Sequence, residues 1–401
     1  MAVQIHQVLA TLSYGDAIGN EVLGIRRALQ EAGYESEIFC ATVDARLEDL
    51  TRDYRDLVEA SRPENILIHH FSLGSRASRI AYALPDRMVL IYHNVTPPEY
   101  FVDIHPLLVR ECYRGRRELA AYAGRCDLAL GDSEFNRQEL EAAGFPETAV
   151  MPVVPGFSHL EVPPDRRVLE AFDDACTNVI FVGRIVPNKR IEDVVRIFAA
   201  YQRFFNPDSR LLVVGSYSGF ERYYVLLQSL VARLGARSVH FLGHVSNSEL
   251  TACYDVADAF LCASEHEGFC VPLVEGFAKG IPVLAYAAAA VPATMDGAGV
   301  LYRTKDPYDV AALVDQVASN RRLADAIVEG QDAALERLLA KDFTATLLGF
   351  VDRVLASPRR PPHRVAPDFW QQVDATERCE ELQQYRPALG HALPKEPVRV
   401  V

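Results

Sequence analysis

Short apolar runs recur along the chain, each ending in a polar, glycine-containing turn. Most are followed by a stretch with apolar residues every three or four positions. In the first part the runs predict strands over residues 3–9, 37–41, 66–69, 88–92, 127–130 and 149–153. Between the first two, Val22, Ile25, Leu29 and Ala32 keep a helical period, and Gly33 follows as a C-cap. A proline-rich stretch, 152–164, then reads as a linker. Beyond it a second series predicts strands over 178–182, 210–214, 239–242, 259–262 and 282–285, with helices centred near Val195, Leu226, Thr251 and Glu275. Strands alternating with helices imply parallel, doubly wound sheets. The expected fold class is therefore α/β, with two Rossmann-like halves facing a central cleft. The expected divisions are 1–155, 156–340, and a helix with a proline-rich tail over 341–401. The helix is predicted over 342–355, and the tail could strap back onto the first half.

Composition narrows the function classes. With 401 residues, of which 49% are hydrophobic, the chain can bury two full cores. Its net charge of 41 − 54 = −13 argues against nucleic acid as a partner. The eight cysteines include no C-x-x-C pair and several fall inside apolar runs, which predicts buried thiols in a reducing compartment. No apolar stretch approaches the roughly 20 residues of a membrane span, and no signal peptide pattern opens the chain. The expected location is the cytoplasm, extending to the inner face of the cell membrane.

Candidate chemistry gathers at the ends of the strands, where open α/β sheets bind ligands. Glu267 and Glu275 stand eight positions apart, around Gly268, Phe269, Cys270 and Val271 and the start of a helix. A helix N-terminus suits phosphate oxygens, and a carboxylate beside it can accept hydrogen bonds from sugar hydroxyls. The structural alternative is an exposed Glu275 and a Glu267 that merely caps the helix. Gly183, Arg184 and Lys189 end the first strand of the second series, where two cations can clamp a diphosphate and stabilise a charged leaving group. Arg190 reads as the start of the next helix. In the first half, Gly15 and Asp16 lie in a turn that lacks the G-x-G-x-x-G dinucleotide fingerprint. His93 and Asn94 follow an apolar strand, and His69 and His70 end another. Ser133 reads as a helix cap, with Asn136 as a site candidate. Arg110, Arg114 and Arg117 recur at helical spacing and could face an acceptor diphosphate or anionic lipid, although a solvated helix face is the plainer reading.

From about Ile5 to about Leu355 the chain resembles the family 4 retaining glycosyltransferases of the GT-B fold. The Glu267/Glu275 motif and the Arg184/Lys189 pair carry the resemblance in that order. The segments G-S-Y-S-G-F-E-R-Y-Y, S-E-H-E-G-F-C-V-P and Y-H-N-V-T-P-P-E-Y-F resemble a branch found in bacterial surface-polysaccharide synthesis, lipopolysaccharide included. The resemblance implies that Glu275 binds the donor ribose. It implies that Glu267 and the backbone of Gly268, Phe269 and Cys270 hold the donor sugar, and that Arg184 and Lys189 bind its diphosphate. His93 would lie near the transferred sugar, Gly15 and Asp16 beside donor and acceptor, and His244, Val245 and Ser246 by the nucleobase. Cys270 stands where many relatives have glycine, and Ala293 where glutamate is common.

The implied activity is transfer of a mannose-like or glucose-like hexose, with retention, from a nucleoside diphosphate sugar. The acceptor would be a glycan or lipid-linked saccharide, with peripheral membrane contact through the arginine stripe. No cofactor is expected beyond the sugar nucleotide, and no metal, since no D-x-D motif marks the cleft-edge loops. Two alternatives stay open: a disaccharide synthase or phosphorylase on the same fold, and a non-catalytic protein that binds a nucleotide sugar.

Overall fold

The computed structural model describes residues 3–153 and 155–359. Seven parallel strands form the first sheet: β1 (Ile5–Leu12), β2 (Ile38–Val43), β3 (Thr51–Asp53), β4 (Ile66–Phe71), β5 (Arg87–Tyr92), β6 (Leu128–Gly131) and β7 (Thr148–Val150). Their spatial order is β3-β2-β1-β4-β5-β6-β7. Six more form the second: β8 (Thr177–Val182), β9 (Ser209–Val214), β10 (Val239–Gly243), β11 (Ala259–Cys262), β12 (Val283–Tyr286) and β13 (Val300–Tyr302), ordered β10-β9-β8-β11-β12-β13. Every predicted strand is present within a few residues. The prediction missed β3 and β13, each three residues long. It also missed the helices Pro307–Ser319 and Arg321–Leu339.

Helices cover both faces of each sheet, which is why β4, β5 and β9 are buried along their whole length. The first helix, Ala17–Glu31, shows how the sequence fixes an entry angle. Asp16 accepts a hydrogen bond from the Gly19 N–H at 2.6 Å, and Val22, Ile25 and Leu29 enter the core fully buried. In both sheets the strand order reverses direction beside the first strand of the series, between β1 and β4 and between β8 and β11. Loops leaving such a pair diverge to opposite faces and leave a crevice at the carboxyl edge. The turn after β8 carries Lys189 and the loop after β11 carries Glu267.

The helix Phe343–Ala356 returns to the first half. Leu347, Val351 and Val354 are buried in one cluster with Ile5, Ile25, Leu29 and Ile66. An Arg353–Glu147 ion pair and a 2.6 Å hydrogen bond from Arg87 to Ser357 anchor its far end. The expected tail from 360 onward lies outside the described residues. No helix among the described residues is long and apolar enough to cross a membrane. The described cysteines are all free, and all but Cys176 are buried.

Candidate active site

Two hydrogen bonds bring the β8 turn onto the β11 loop. Glu265 N–H donates to the Asn188 carbonyl at 2.9 Å, and the Asn188 side chain donates to the His266 carbonyl at 3.0 Å. This clasp places Lys189 Nζ 2.5 Å from Glu267 Oε1. Burial alone would pull the Lys189 pKa down, but the Glu267 carboxylate outweighs it and the net shift is upward. Lys189 is therefore a fixed cation. Arg184 is exposed, with its guanidinium 5.8 Å from the centre of the Phe220 ring, and among the described residues it has no carboxylate partner. One cation is thus held and one is free to meet a ligand. Arg190 begins the next helix as expected, at φ 52°, and pairs with Glu192, Asp193 and Glu265.

The structure decides against the plain reading of the two glutamates. Glu267 spends its side chain on Lys189 rather than on a helix cap, and no side chain caps the helix Val271–Ala278. Pro272 has no N–H and the Leu273 N–H donates to the Cys270 carbonyl, so at the helix's first turn it is the Val271 N–H that is left to meet an anion. Glu275 is only 7% exposed. Its Oε1 lies 2.8 Å from His159 Nε2, and its Oε2 accepts from the Tyr254 hydroxyl at 2.7 Å. Each oxygen keeps a further lone pair for a ligand hydroxyl. His159 and Tyr254 escaped the sequence reading. His159 lies in the proline-rich connection, and only the fold brings it to Glu275.

The His159–Glu275 bond yields a pH prediction. That hydrogen bond, opposed by partial burial, raises the His159 pKa above 6.5. The raised group contributes stability that is complete below its unfolded pKa and lost as pH rises through its folded value. The difference in Tm between the native protein and His159→Gln should therefore shrink as pH rises from about 5 to about 9. A difference that stays constant across that range would show that the bond adds no charged-state stability.

Cys270 caps the helix at φ 78°, which explains why glycine suits this position. Ala293 is exposed on the short helix Val291–Met295, and its neighbour Thr294 donates to the Phe269 carbonyl at 2.5 Å. The donor loop is thus braced without the missing glutamate. Gly268 sits at the seam between the halves. A Cβ there would meet Asn94 Cβ at 3.0 Å, Asn136 Nδ2 at 3.2 Å and the His93 carbonyl oxygen at 3.2 Å. Asn94, at φ 77°, accepts from His266 at 2.5 Å and donates to Asn136 at 2.8 Å. The loop carrying both glutamates therefore closes directly onto the first half.

The His93 ring is buried and its two nitrogens are taken up by side chains of the first half. Its Nδ1 lies 3.0 Å from Asp132 Oδ2 and 3.8 Å from Glu21 Oε2, while its Nε2 meets His70 Nδ1 at 2.9 Å. The side chain is 1% exposed. It is the His93 backbone, not the ring, that reaches the donor loop. Burial opposes the imidazolium, but Asp132, Glu21 and Asp16 raise the His93 pKa overall. Burial, then Asp132, pushes the Glu21 carboxyl up. Sequence reading missed Glu21, which falls on the polar side of an ordinary amphipathic helix. It also passed over Asp132 beside the capping Ser133. His69 is structural, with Nδ1 3.3 Å from the Val8 carbonyl.

The remaining candidates fall into place with less chemistry. Gly15 is exposed at φ 79°, and Asp16 is occupied as the first helix cap. His244 is exposed and Val245 half-buried, while Ser246 forms a capping box with Glu249. Ser133 caps Glu134–Ala142 as expected, and Asn136 is fully buried at the seam. On the helix Pro106–Tyr122, Arg110 and Arg114 are mostly covered and pair with Glu111. Arg117 is exposed near Tyr113. The three do not present one bare basic stripe.

Comparisons with known proteins agree with this geometry. Residues 167–332, which hold Lys189, Glu267 and Glu275, match the family model described as "Glycosyl transferases group 1". O-antigen chain mannosyltransferase B of Escherichia coli is 28% identical over 243 residues, 57% of this chain and 59% of that protein. A D-inositol 3-phosphate glycosyltransferase of Geodermatophilus obscurus is 30% identical over 271 residues, 64% and 59% of the two chains. The chain thus spans less than two thirds of these relatives' length. Among solved structures, sucrose-phosphate synthase from Thermosynechococcus elongatus superposes with a TM-score of 0.67 at 17% identity, covering 88% of this chain and 99% of that one. The Escherichia coli structure titled "Trehalose-6-phosphate" and bound with UDP-2-fluoro glucose gives 0.68 at 13%, covering 89% and 100%. Such identities speak for the fold alone. The chain has the GT-B fold, and its second half carries the sequence pattern of the group 1 glycosyl transferases.

Proposed function

We propose that the protein is a retaining glycosyltransferase of family 4. It would move a hexose from a nucleoside diphosphate sugar to a glycan or lipid-linked saccharide. One observation carries this reading: the fixed Lys189–Glu267 pair and the buried Glu275 lie on the turn, loop and helix that leave β8 and β11 at the topological switch point, with Arg184 exposed on the same turn as Lys189. Cations and helix N–H groups suit a diphosphate, and carboxylates suit hydroxyls on either side of it. Glu275 would take the ribose and Glu267 the sugar.

As the sugar–phosphate bond breaks, negative charge grows on the diphosphate. Lys189 and Arg184 stabilise that charge more than the ground state. The departing phosphate oxygen would accept the acceptor's proton on the same face of the sugar, so no carboxylate need act as a nucleophile and no metal is needed at the diphosphate. The seam of Gly268, Asn94 and His266 would exclude water when the cleft is shut. The mannosyltransferase relative makes GDP-mannose the first donor to try and UDP-glucose the second. We place the reaction in the cytoplasm, at or near the membrane that presents the acceptor.

The decisive screen is a thermal shift across nucleoside diphosphates and their sugars, with the native protein and Glu275→Gln. A cognate nucleotide should raise Tm. Glu275→Gln should weaken its binding by about tenfold, the loss of a charged hydrogen bond to the ribose. Unchanged affinity in the variant would remove Glu275 from the ribose, and no response to any nucleotide would remove the proposed donor.

A further inference from the structure

A chain of hydrogen bonds runs from the helix Ala17–Glu31 into the first sheet and fixes its own proton positions. Gln7 Nε2 donates to the Val22 carbonyl at 3.1 Å, so its Oε1 must face His70 as an acceptor. His70 Nε2, 2.9 Å from that oxygen, must then carry a proton. Buried and neutral, His70 offers a lone pair at Nδ1, so His93 Nε2, 2.9 Å away, must be the donor. Every direction in the chain is set before His93 Nδ1 is reached. That atom faces two carboxylates, Asp132 and Glu21.

The two carboxylates are themselves incomplete. Glu21 Oε1 and Asp132 Oδ1 are buried and have no hydrogen-bond partner among the described residues, and the side chains are only 7% and 9% exposed. A buried carboxylate oxygen without a partner is costly. One proton on His93 Nδ1 would balance one carboxylate and leave the other. A divalent cation would balance both charges, bound through Glu21 Oε2 and Asp132 Oδ2, the oxygens nearest His93 Nδ1. One His93 nitrogen and one oxygen from each carboxylate lie within 4.8 Å of one another. Nitrogen–oxygen separations of 3.0 and 3.8 Å bracket the roughly 3.4 Å between ligands around a cation with bonds near 2.1 Å. The Gln7–His70–His93 chain supplies the outer-shell partner that holds a ligating imidazole in one tautomer.

We propose that Glu21, His93 and Asp132 form a binding site for one divalent cation of the zinc, manganese or cobalt class. The mixed nitrogen and oxygen donors suit these ions. The site's three ligands all come from the first half, and it does not depend on the reaction assigned above. It joins a helix, the end of β5 and the end of β6, three segments distant in sequence. The cation pins the cleft edge of the first half and holds the His93–Asn94 backbone against the donor loop.

The test uses the full chain, stripped with a chelator and free of affinity tag. Titration with Co²⁺ followed by visible absorption should show one tight equivalent with d–d bands and no thiolate charge-transfer band. Zn²⁺ should displace it and raise Tm by a few degrees, because binding to the folded state alone stabilises it. Glu21→Gln and Asp132→Asn should each weaken binding at least tenfold and abolish the Tm rise. Should Asp132→Asn fail to fold, Glu21→Gln decides by itself. Native protein that takes up no cation overturns the proposal, as does equal uptake by native protein and Glu21→Gln. A thiolate band in the Co²⁺ form would equally reject it by placing the ion on cysteine.

Discussion

On the proposed function, replacing Lys189 by alanine is expected to lower donor turnover at saturating acceptor by about 100- to 1,000-fold, the usual loss when a donor aimed at transition-state charge is removed. The ammonium is in contact with Glu267 and largely covered, so it needs no reorganisation as the leaving diphosphate gains charge. Removal also strands Glu267 as a buried carboxylate, which destabilises a protein by about 3–5 kcal/mol. The two effects can be separated. Lys189→Met combined with Glu267→Gln removes both charges at similar volume, so it should restore much of the lost Tm while turnover stays low. Near-native turnover in Lys189→Ala, measured as initial rates at saturating acceptor, would end the role given to this lysine. Recovery of rate in the double variant would assign the defect to stability.

The largest expected stability loss lies at Gly215. Its φ of 146° brings it against the turn after β8, where a Cβ would stand 1.9 Å from the Gly183 carbonyl oxygen and 2.6 Å from its carbon. Both obstacles are backbone, so no rotamer relieves them. Gly183 itself, at φ 149°, leads into Arg184 and Lys189. Gly215→Ala should therefore lose more than about 4 kcal/mol, in the range reserved for strain at special backbone positions. It should also disturb the cation turn. Gly219→Ala is the control: its φ is 81°, but nothing lies within 4 Å of the added carbon, so about 1 kcal/mol of loss is expected. Denaturant unfolding of the two variants measures the difference. Equal losses would mean that the turn moves aside freely.

Several of the strands that the sequence announced are buried on both faces, although β7 and β10 were also predicted and are only half-buried. β4, β5 and β9 each contain an apolar run of three to five residues and are buried along their whole length. β3 reads Thr-Arg-Asp and is partly exposed at a sheet edge, so neither hydrophobicity nor period marks it. The charged core of the site was legible for a related reason. Lys189 and Glu267 each follow the end of a strand, and the fold class sends such positions to one edge. What remained hidden were partners set by tertiary approach. His159 meets Glu275 across 116 positions, and Glu21 meets His93 from a helix whose pattern speaks only of its apolar side. The His93 ring was expected at the sugar from resemblance. The fold adds two side-chain partners that resemblance did not name, His70 and Asp132.

The helix Phe343–Ala356, packed on the first half after the chain has completed the second, means that the polypeptide crosses between the halves twice. A single crossing would let the second half swivel like a weight on a string. Two crossings act as the paired pins of a door hinge. They remove twist and leave swing about the line that joins them. The second tie limits how far the Gly268 loop can be displaced sideways from Asn94.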